Sequence, residues 1–460
     1  MEPLPFAYSL KPGRNYLLLA IAASLFCVGF ALWFPVSLAI IFGAVFVMEF
    51  VSSRTFRWMV FPTVLILNQF ILRNAGFSFH IGGLAIQPVD WIAILLILTV
   101  FSKQVLTGQR IWMRTGLDLP IRLFLGATVI SLFNAFDLRV GIVNWGHTAL
   151  YFIAFYAMTA DWKDVSFQRI WRVYLFWAVL AAASALWQFF ASGGGRSLGF
   201  ANLVLPAVVV PVLCFELARL SLLEKAEQWF LVAVFVVTAV ATQTRGLWIG
   251  TGMLFIIWFF SAFFLKPFRL AVAHRTVVKF FKLVVLFLLI FLLLVPFLGQ
   301  AERRAEQLVQ QSGSVYLRLF LWGVAWRLFL EHAVTGIGVG QFVGMVGQYP
   351  EMKNLAVFEW THGLSAHNLP LTFLAETGLV GTLAFLFLLI STVRFSWRGL
   401  HRARTSDELG TGWGFFLIFF VFALWFLFAG VWDYHFTFLL ALLAIFVRQL
   451  EAPSERAYGR

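Results

Sequence analysis

The sequence predicts an all-α polytopic integral membrane protein with about 12–14 transmembrane helices, counted at ~20 apolar residues per crossing. Three observations predict it. Apolar residues make up 61% of the 460, and mean hydropathy is +0.89. Charged residues make up only 12%, half of the ~25% expected of a water-soluble domain. With 55 Phe and 19 Trp, the chain carries more apolar surface than one core could hide. Apolar runs of near-spanning length follow one another almost end to end. A soluble enzyme with a membrane tail, a disordered chain, a collagen and a disulfide-stapled scaffold are excluded. Cys27 and Cys214 both lie in apolar runs, so no structural disulfide is expected. No cleavable signal peptide is expected, because the run 16–33 passes into the next at Val36 without a small-residue cleavage site.

In order, the candidate spans are 16–33, 36–52, 58–72, 90–102, 119–136, 142–160, 169–191, 200–220, 229–243, 246–265, 278–298, 367–393, 412–430 and 433–449. The pieces at 58–72, 90–102 and 229–243 are short for a crossing. Alternating sides from a cytoplasmic N-terminus puts 25 of the 34 basic residues on the cytoplasmic face. Five of the remaining nine fall in one long loop, where basic residues say little about orientation. The net charge of +13 is therefore a topology signature, with basic loops facing anionic headgroups. No basic stripe with interleaved aromatics lies outside those loops, so no nucleic-acid partner is expected.

The chain divides into an N-terminal transmembrane bundle (1–298), a helical loop on the outer face (299–366) and C-terminal transmembrane helices (367–460). The loop holds a polar surface helix at 301–311, an aromatic amphipathic helix at 315–331 interrupted by Arg318 and Arg327, and a turn punctuated by Gly336, Gly338 and Gly340. At this length it reads as a cap lying against the outer leaflet, not as an independent domain.

Ionisable groups at the mouth of a membrane are costly, so they are the first functional candidates. Three share the outer face. Arg196 follows Gly193, Gly194 and Gly195, whose backbone freedom and exposed N–H groups suit an anion; a snorkelling interfacial arginine is the plain alternative. Arg245, beside Thr242, Gln243 and Thr244, breaks ~35 otherwise apolar residues, twice what one crossing needs. There the alternative is a turn anchored by a charge. His367 precedes Asn368 and Pro370, which places it at a helix N-terminus. The helix dipole there favours the neutral ring, able to accept a proton; a capping or core histidine is the alternative. His362 lies in the loop, and Glu376 is ~180° around the helix from His367, so neither is expected to be its direct partner. The sequence has no Asp-x-Asp pair, no zinc-type spacing, no P-loop and no nucleophile elbow. Asp90, Asp137 and Asp433 all fall at span ends rather than at mid-depth. A metal-free reaction at the outer boundary is expected, with no cofactor.

Together these elements resemble the O-antigen ligase/polymerase superfamily. Residues 365–381, with His367, Asn368, Glu376, Gly378 and Gly381, look like its His-Asn … Glu-x-Gly-x-x-Gly signature. Thr244-Arg245-Gly246 is similar to its Ser/Thr-Arg-Gly element. Arg196 through Asn202 resembles its Arg-x-x-Gly element. Arg318 and Trp322, followed by Gly336, Gly338 and Gly340, resemble its periplasmic-loop stretch. The likeness covers about residues 190–393; before that the chain agrees only in being hydrophobic.

The resemblance implies a GT-C-like membrane enzyme of lipopolysaccharide biosynthesis in the inner membrane of a Gram-negative bacterium. Both termini would be cytoplasmic and the active site would face the periplasm. Its partners would be an undecaprenyl-pyrophosphate-linked O-antigen donor, a lipid A–core acceptor and membrane lipids. The roles that follow are His367 as general base, Arg196, Arg245 and Arg318 on the pyrophosphate, and Asn368, Gln243 and Glu376 in support. Tyr316, Trp322, Trp326 and Trp360 would stack on sugars or anchor at the interface. An O-antigen polymerase is the nearest alternative, followed by a protein O-oligosaccharyltransferase and then a lipid-linked-glycan transporter.

Overall fold

The computed structural model describes residues 36–67, 79–81, 84–108, 114–161, 167–193, 205–223, 225–242, 245–261, 277–286, 289, 313–346, 348, 366, 368–426 and 434–451. Helices dominate. They are α1 (Val36–Ser52), α2 (Arg54–Leu67), α3 (Pro88–Thr107), α4 (Asp118–Ser131), α5 (Leu138–Ala160), α6 (Phe167–Ala191), α7 (Leu205–Leu223), α8 (Ala226–Ala241) and α9 (Arg245–Ser261). After a helical stretch at 277–286 come α10 (Gly313–Glu331), α11 (Phe342–Val346), α12 (Leu369–Arg402), α13 (Ser406–Trp425) and α14 (Tyr434–Glu451). Every expected span but 16–33 meets one of these segments; 16–33, most of 278–298 and the helix expected at 301–311 lie outside the described residues. Among the described residues, five helices are both long and apolar enough to cross a membrane: α3, α6, α12, most of α13, and α14. The chain is a multi-pass, helical membrane protein.

Three details differ from expectation. The piece at 90–102, expected to be short, is a helix of 20 residues. Its first turn is opened by Pro88 and held by Asp90, whose carboxylate accepts the Gln87 N–H at 2.7 Å. A small antiparallel hairpin, β1 (Phe79–Ile81) and β2 (Leu84–Ile86), precedes it with Phe79 opposite Ile86. An acid also lies buried within a span: Glu216 of α7, paired with Arg219 at 3.3 Å.

The C-terminal helices do not form a separate layer. α13 packs on α7, α12 on α4, and α14 on α5 and α12, so one apolar core runs from Phe50 to Val447. α14 lies at its centre, with every residue from Tyr434 to Val447 buried. Around the rim, Phe101, Phe176, Phe230, Ile256, Phe281 and Leu383 turn outward, as a surface solvated by hydrocarbon requires.

Hydrogen bonds separate the two ends of the bundle. At one end, the close of α4 and the start of α5 meet residues 335–341; here it is called the loop end. The opposite, basic end joins α2 to α5 through Arg57 and Asp161. Arg57, 1% exposed, gives Asp161 two bonds of 2.9 and 3.0 Å and donates to the carbonyls of Phe50 and Val51. Arg54 adds a contact to Asp161 at 3.1 Å. Arg57 is thus an interior cation, not one facing headgroups. At the same end, Trp413 of α13 donates to Ser261 of α9 at 2.8 Å, and Arg402 pairs with Glu451.

Candidate functional site

The aromatic loop helix expected at 315–331 is α10. Leu321, Val324, Ala325 and Leu328 are buried at helical spacing and pack with Ile337, Phe342, Val346, Ala366 and Ala375. Arg318, Leu319, Trp326 and Leu330 are exposed. Trp322 is half-buried, and its indole N–H donates to the carbonyl of Ala366 at 2.8 Å. The aromatic side chain thereby fixes the chain immediately before the start of α12.

α12 begins where the Asn-Leu-Pro pattern says it should. Asn368 is the N-cap, its side-chain oxygen accepting the Leu371 N–H at 3.0 Å, and Pro370 falls in the first turn, where a missing N–H costs nothing. Leu369 donates to the carbonyl of Phe426 at 3.0 Å, tying this start to the end of α13.

About two and a half turns further on, at ~3.6 residues per turn, the helix breaks. Gly378 has φ 61° and ψ −162°, a region open in practice only to glycine. The glycine-punctuated turn docks into that break. Ile337 and Gly338 donate to the carbonyls of Ala375 and Glu376 at 3.0 and 2.9 Å, while Leu379 and Val380 donate to Ala333 and Val334 at 2.8 and 3.2 Å. The approach is backbone to backbone: a Cβ on Gly336 would overlap the peptide joining Glu376 and Thr377. The Glu376 carboxylate reaches out of the helix and accepts the Phe342 N–H at 3.0 Å. Asn134 and Gln341 extend the seam to α4 and α5, through Thr335 and Gly336 and through Asp137 respectively. The Glu-x-Gly-x-x-Gly and Gly-x-Gly-x-Gly patterns are therefore two halves of one joint.

Of the expected site residues, Asn368, Glu376, Arg318, Trp322 and Trp326 are described in full, and Arg245 and Tyr316 by backbone alone. Arg196, Gln243, Trp360 and His367 lie outside the described residues, as do His362 and Asp433. The described helix ends that flank the three principal candidates share the loop end. α6 ends beside the end of α8 in a cluster of Phe189, Val240 and Ala241. α9 starts at Arg245 and finishes at the basic end, where Ser261 meets Trp413. α12 starts beside the loop and finishes at the basic end through Arg402.

One constellation at the loop end left little mark on the sequence. Asp90 of α3 accepts the Tyr434 hydroxyl of α14 at 2.6 Å, and His147 of α5 stands 3.9 Å from the same carboxylate. Asp90 was visible as a span-end acid, but nothing in the sequence links it to a tyrosine 344 positions away. An apolar groove of about 440 Å³ runs between α4 and α12, with Ile130, Val380, Leu383 and Phe387 along it and Arg122 towards the basic end.

A multi-pass helical membrane protein with a loop-clamped, capped helix start at one end is the class this architecture defines. The profile of a family described as O-antigen ligase matches residues 230–386, a third of the chain that includes α9, the α10 loop and the joint on α12. Over that stretch the chain is similar to the O-antigen ligase family. A search of curated proteins returned no match.

Proposed function

We propose that the protein is the ligase of this superfamily, moving an O-antigen glycan from undecaprenyl pyrophosphate to a sugar hydroxyl of lipid A–core on the periplasmic side. The observation that carries the reading is that the helix ends flanking Arg196, Arg245 and His367 open at one end of the bundle, two of them within the matched stretch. The opposite end gathers most of the described lysines and arginines of the short connections, Arg139 excepted, and the positive-inside rule supports a cytoplasmic orientation for it.

In this reaction the acceptor hydroxyl gives its proton to the His367 imidazole while its oxygen bonds to the anomeric carbon. The bond from that carbon to the pyrophosphate oxygen breaks, and its electron pair leaves with the lipid diphosphate. Direct attack inverts the anomeric centre. Negative charge grows on the leaving group, and the forked guanidiniums of Arg196 and Arg245, with Arg318, stabilise it more strongly at a low-dielectric boundary than in water. Apart from Arg122 towards the basic end, the groove between α4 and α12 is lined by apolar residues and glycine, which suits a polyprenyl chain.

Glycolipid analysis of a deletion strain tests the reading. Loss of a ligase leaves long glycan on the carrier lipid and bare core. Core capped with a single repeat would assign the protein to the polymerase branch instead.

A further inference from the structure

The loop helix α10 has two apolar faces. One, of Leu321, Val324, Ala325 and Leu328, is buried against the glycine turn and the start of α12. The other, of Leu319, Gly323, Trp326 and Leu330, lies ~180° around the helix. It stays open: Leu319, Trp326 and Leu330 are 55, 49 and 61% exposed. Two observations say what covers this outer stripe. First, α12 bends sharply at Gly378. The rings of Phe373 and Phe385 lie 4.4 Å apart, although twelve residues of straight helix would separate them by ~18 Å. The first stretch of α12, and α10 beside it, therefore lie across the bundle. Second, the bonds from Leu379 and Val380 to Ala333 and Val334 seat the chain leaving α10 on the flank of α12 that carries Leu379, Val380 and Leu383. That flank is 40–55% exposed on a helix long and apolar enough to span the membrane, so it faces hydrocarbon. Val334, 65% exposed, joins the two surfaces, and the outer stripe of α10 continues a lipid-facing one. Its composition suits that place: Trp326 is a residue type favoured at membrane interfaces, and Arg318 and Arg327 flank the stripe on either side, with stems long enough to carry their charges to headgroups.

We propose that the outer stripe of α10 is a lipid-docking surface, seated ~5–10 Å into the headgroup–acyl boundary of the leaflet at the loop end. Trp326 is then a bilayer anchor, not a sugar platform. The bond from Trp322 to Ala366 makes the leaflet set the height at which α12 starts. The surface is independent of which group the protein transfers. The full-length chain carrying Cys27→Ser is reconstituted in liposomes of phosphatidylethanolamine and phosphatidylglycerol; Cys214 is buried and takes no label. Nitroxide is attached to Leu319→Cys, Trp326→Cys, Leu330→Cys and, as a control off the stripe, Glu331→Cys, and its relaxation by oxygen and by a water-soluble nickel chelate is compared. The oxygen-to-nickel ratio on the stripe is expected to exceed that at position 331 by about threefold or more, because an apolar solute concentrates in the apolar boundary. Equal ratios, with nickel reaching the stripe, overturn the proposal. So do labels that neither relaxant reaches, which would mean that protein covers the stripe. All three stripe positions are exposed, so a label displaces no core contact, and if one variant fails to fold the other two decide.

Discussion

The carboxylate of Glu376 accepts the backbone N–H of Phe342 at 3.0 Å, and this bond locks a loop onto the break in a membrane-spanning helix. Phe342 is fully buried, so no water replaces the acceptor if the carboxylate is removed.

Glu376→Ala is therefore expected to destabilise the protein by about 1–3 kcal/mol, the cost of an orphaned buried donor. Glu376→Gln, which keeps an acceptor oxygen, should recover most of the loss. Gly378→Ala should cost about 1–3 kcal/mol from its backbone conformation alone, and more from its overlap with the Val334 carbonyl. Thermal unfolding in detergent checks all three; wild-type melting of the Ala variant at Glu376 would deny the clamp.

Asp161→Ala should be worse. It leaves the Arg57 guanidinium buried without its counter-ion, a loss of about 3–5 kcal/mol. Arg54→Ala, removing a partner that is 30% exposed, should cost no more than ~1 kcal/mol. Similar losses from the two substitutions, read by denaturation or by yield of folded protein, would refute the assignment of Arg57 as the buried partner.

Trp322→Phe keeps the ring and removes the donor to the Ala366 carbonyl. If Trp322 positions the start of α12, transfer should fall mainly in kcat with KM nearly unchanged. A variant with normal kcat, set beside a Trp322→Ala variant with raised KM, would instead mark a sugar platform.

His367→Ala should lower transfer by ~10²–10⁴-fold, the usual worth of a positioned base, while the protein still inserts. Arg196→Ala and Arg245→Lys should fail as well, the latter because a point charge does not replace the fork. EDTA should leave the rate unchanged. These are read in a reconstituted assay with carrier-linked glycan and lipid A–core; near wild-type transfer by the His367 variant would remove it from the mechanism.

Much of the architecture was legible because a bilayer imposes length and charge rules that a chain displays locally. Asn368 and Pro370 announced the start of α12, and the buried stripe of α10 was readable from its spacing. The clamp was half legible: Glu376 and the glycines were visible as patterns, but not that they are two sides of one joint. Nothing pointed to the link between Asp90 and Tyr434 or to the buried pair of Arg57 and Asp161, because residues 344 and 104 positions apart leave no shared periodicity.

By itself, then, the sequence determined that this is a polytopic membrane protein, the order of its helices and the basic bias of one face. Only the tertiary structure decided that the last helix, α14, is the innermost, that Arg57 is an interior ion, and that the loop is welded to α12. The physical reason is that lipid tails are as apolar as a protein core. Composition therefore marks a helix as membrane-borne without saying whether its neighbours are hydrocarbon or other helices, and packing alone makes that distinction.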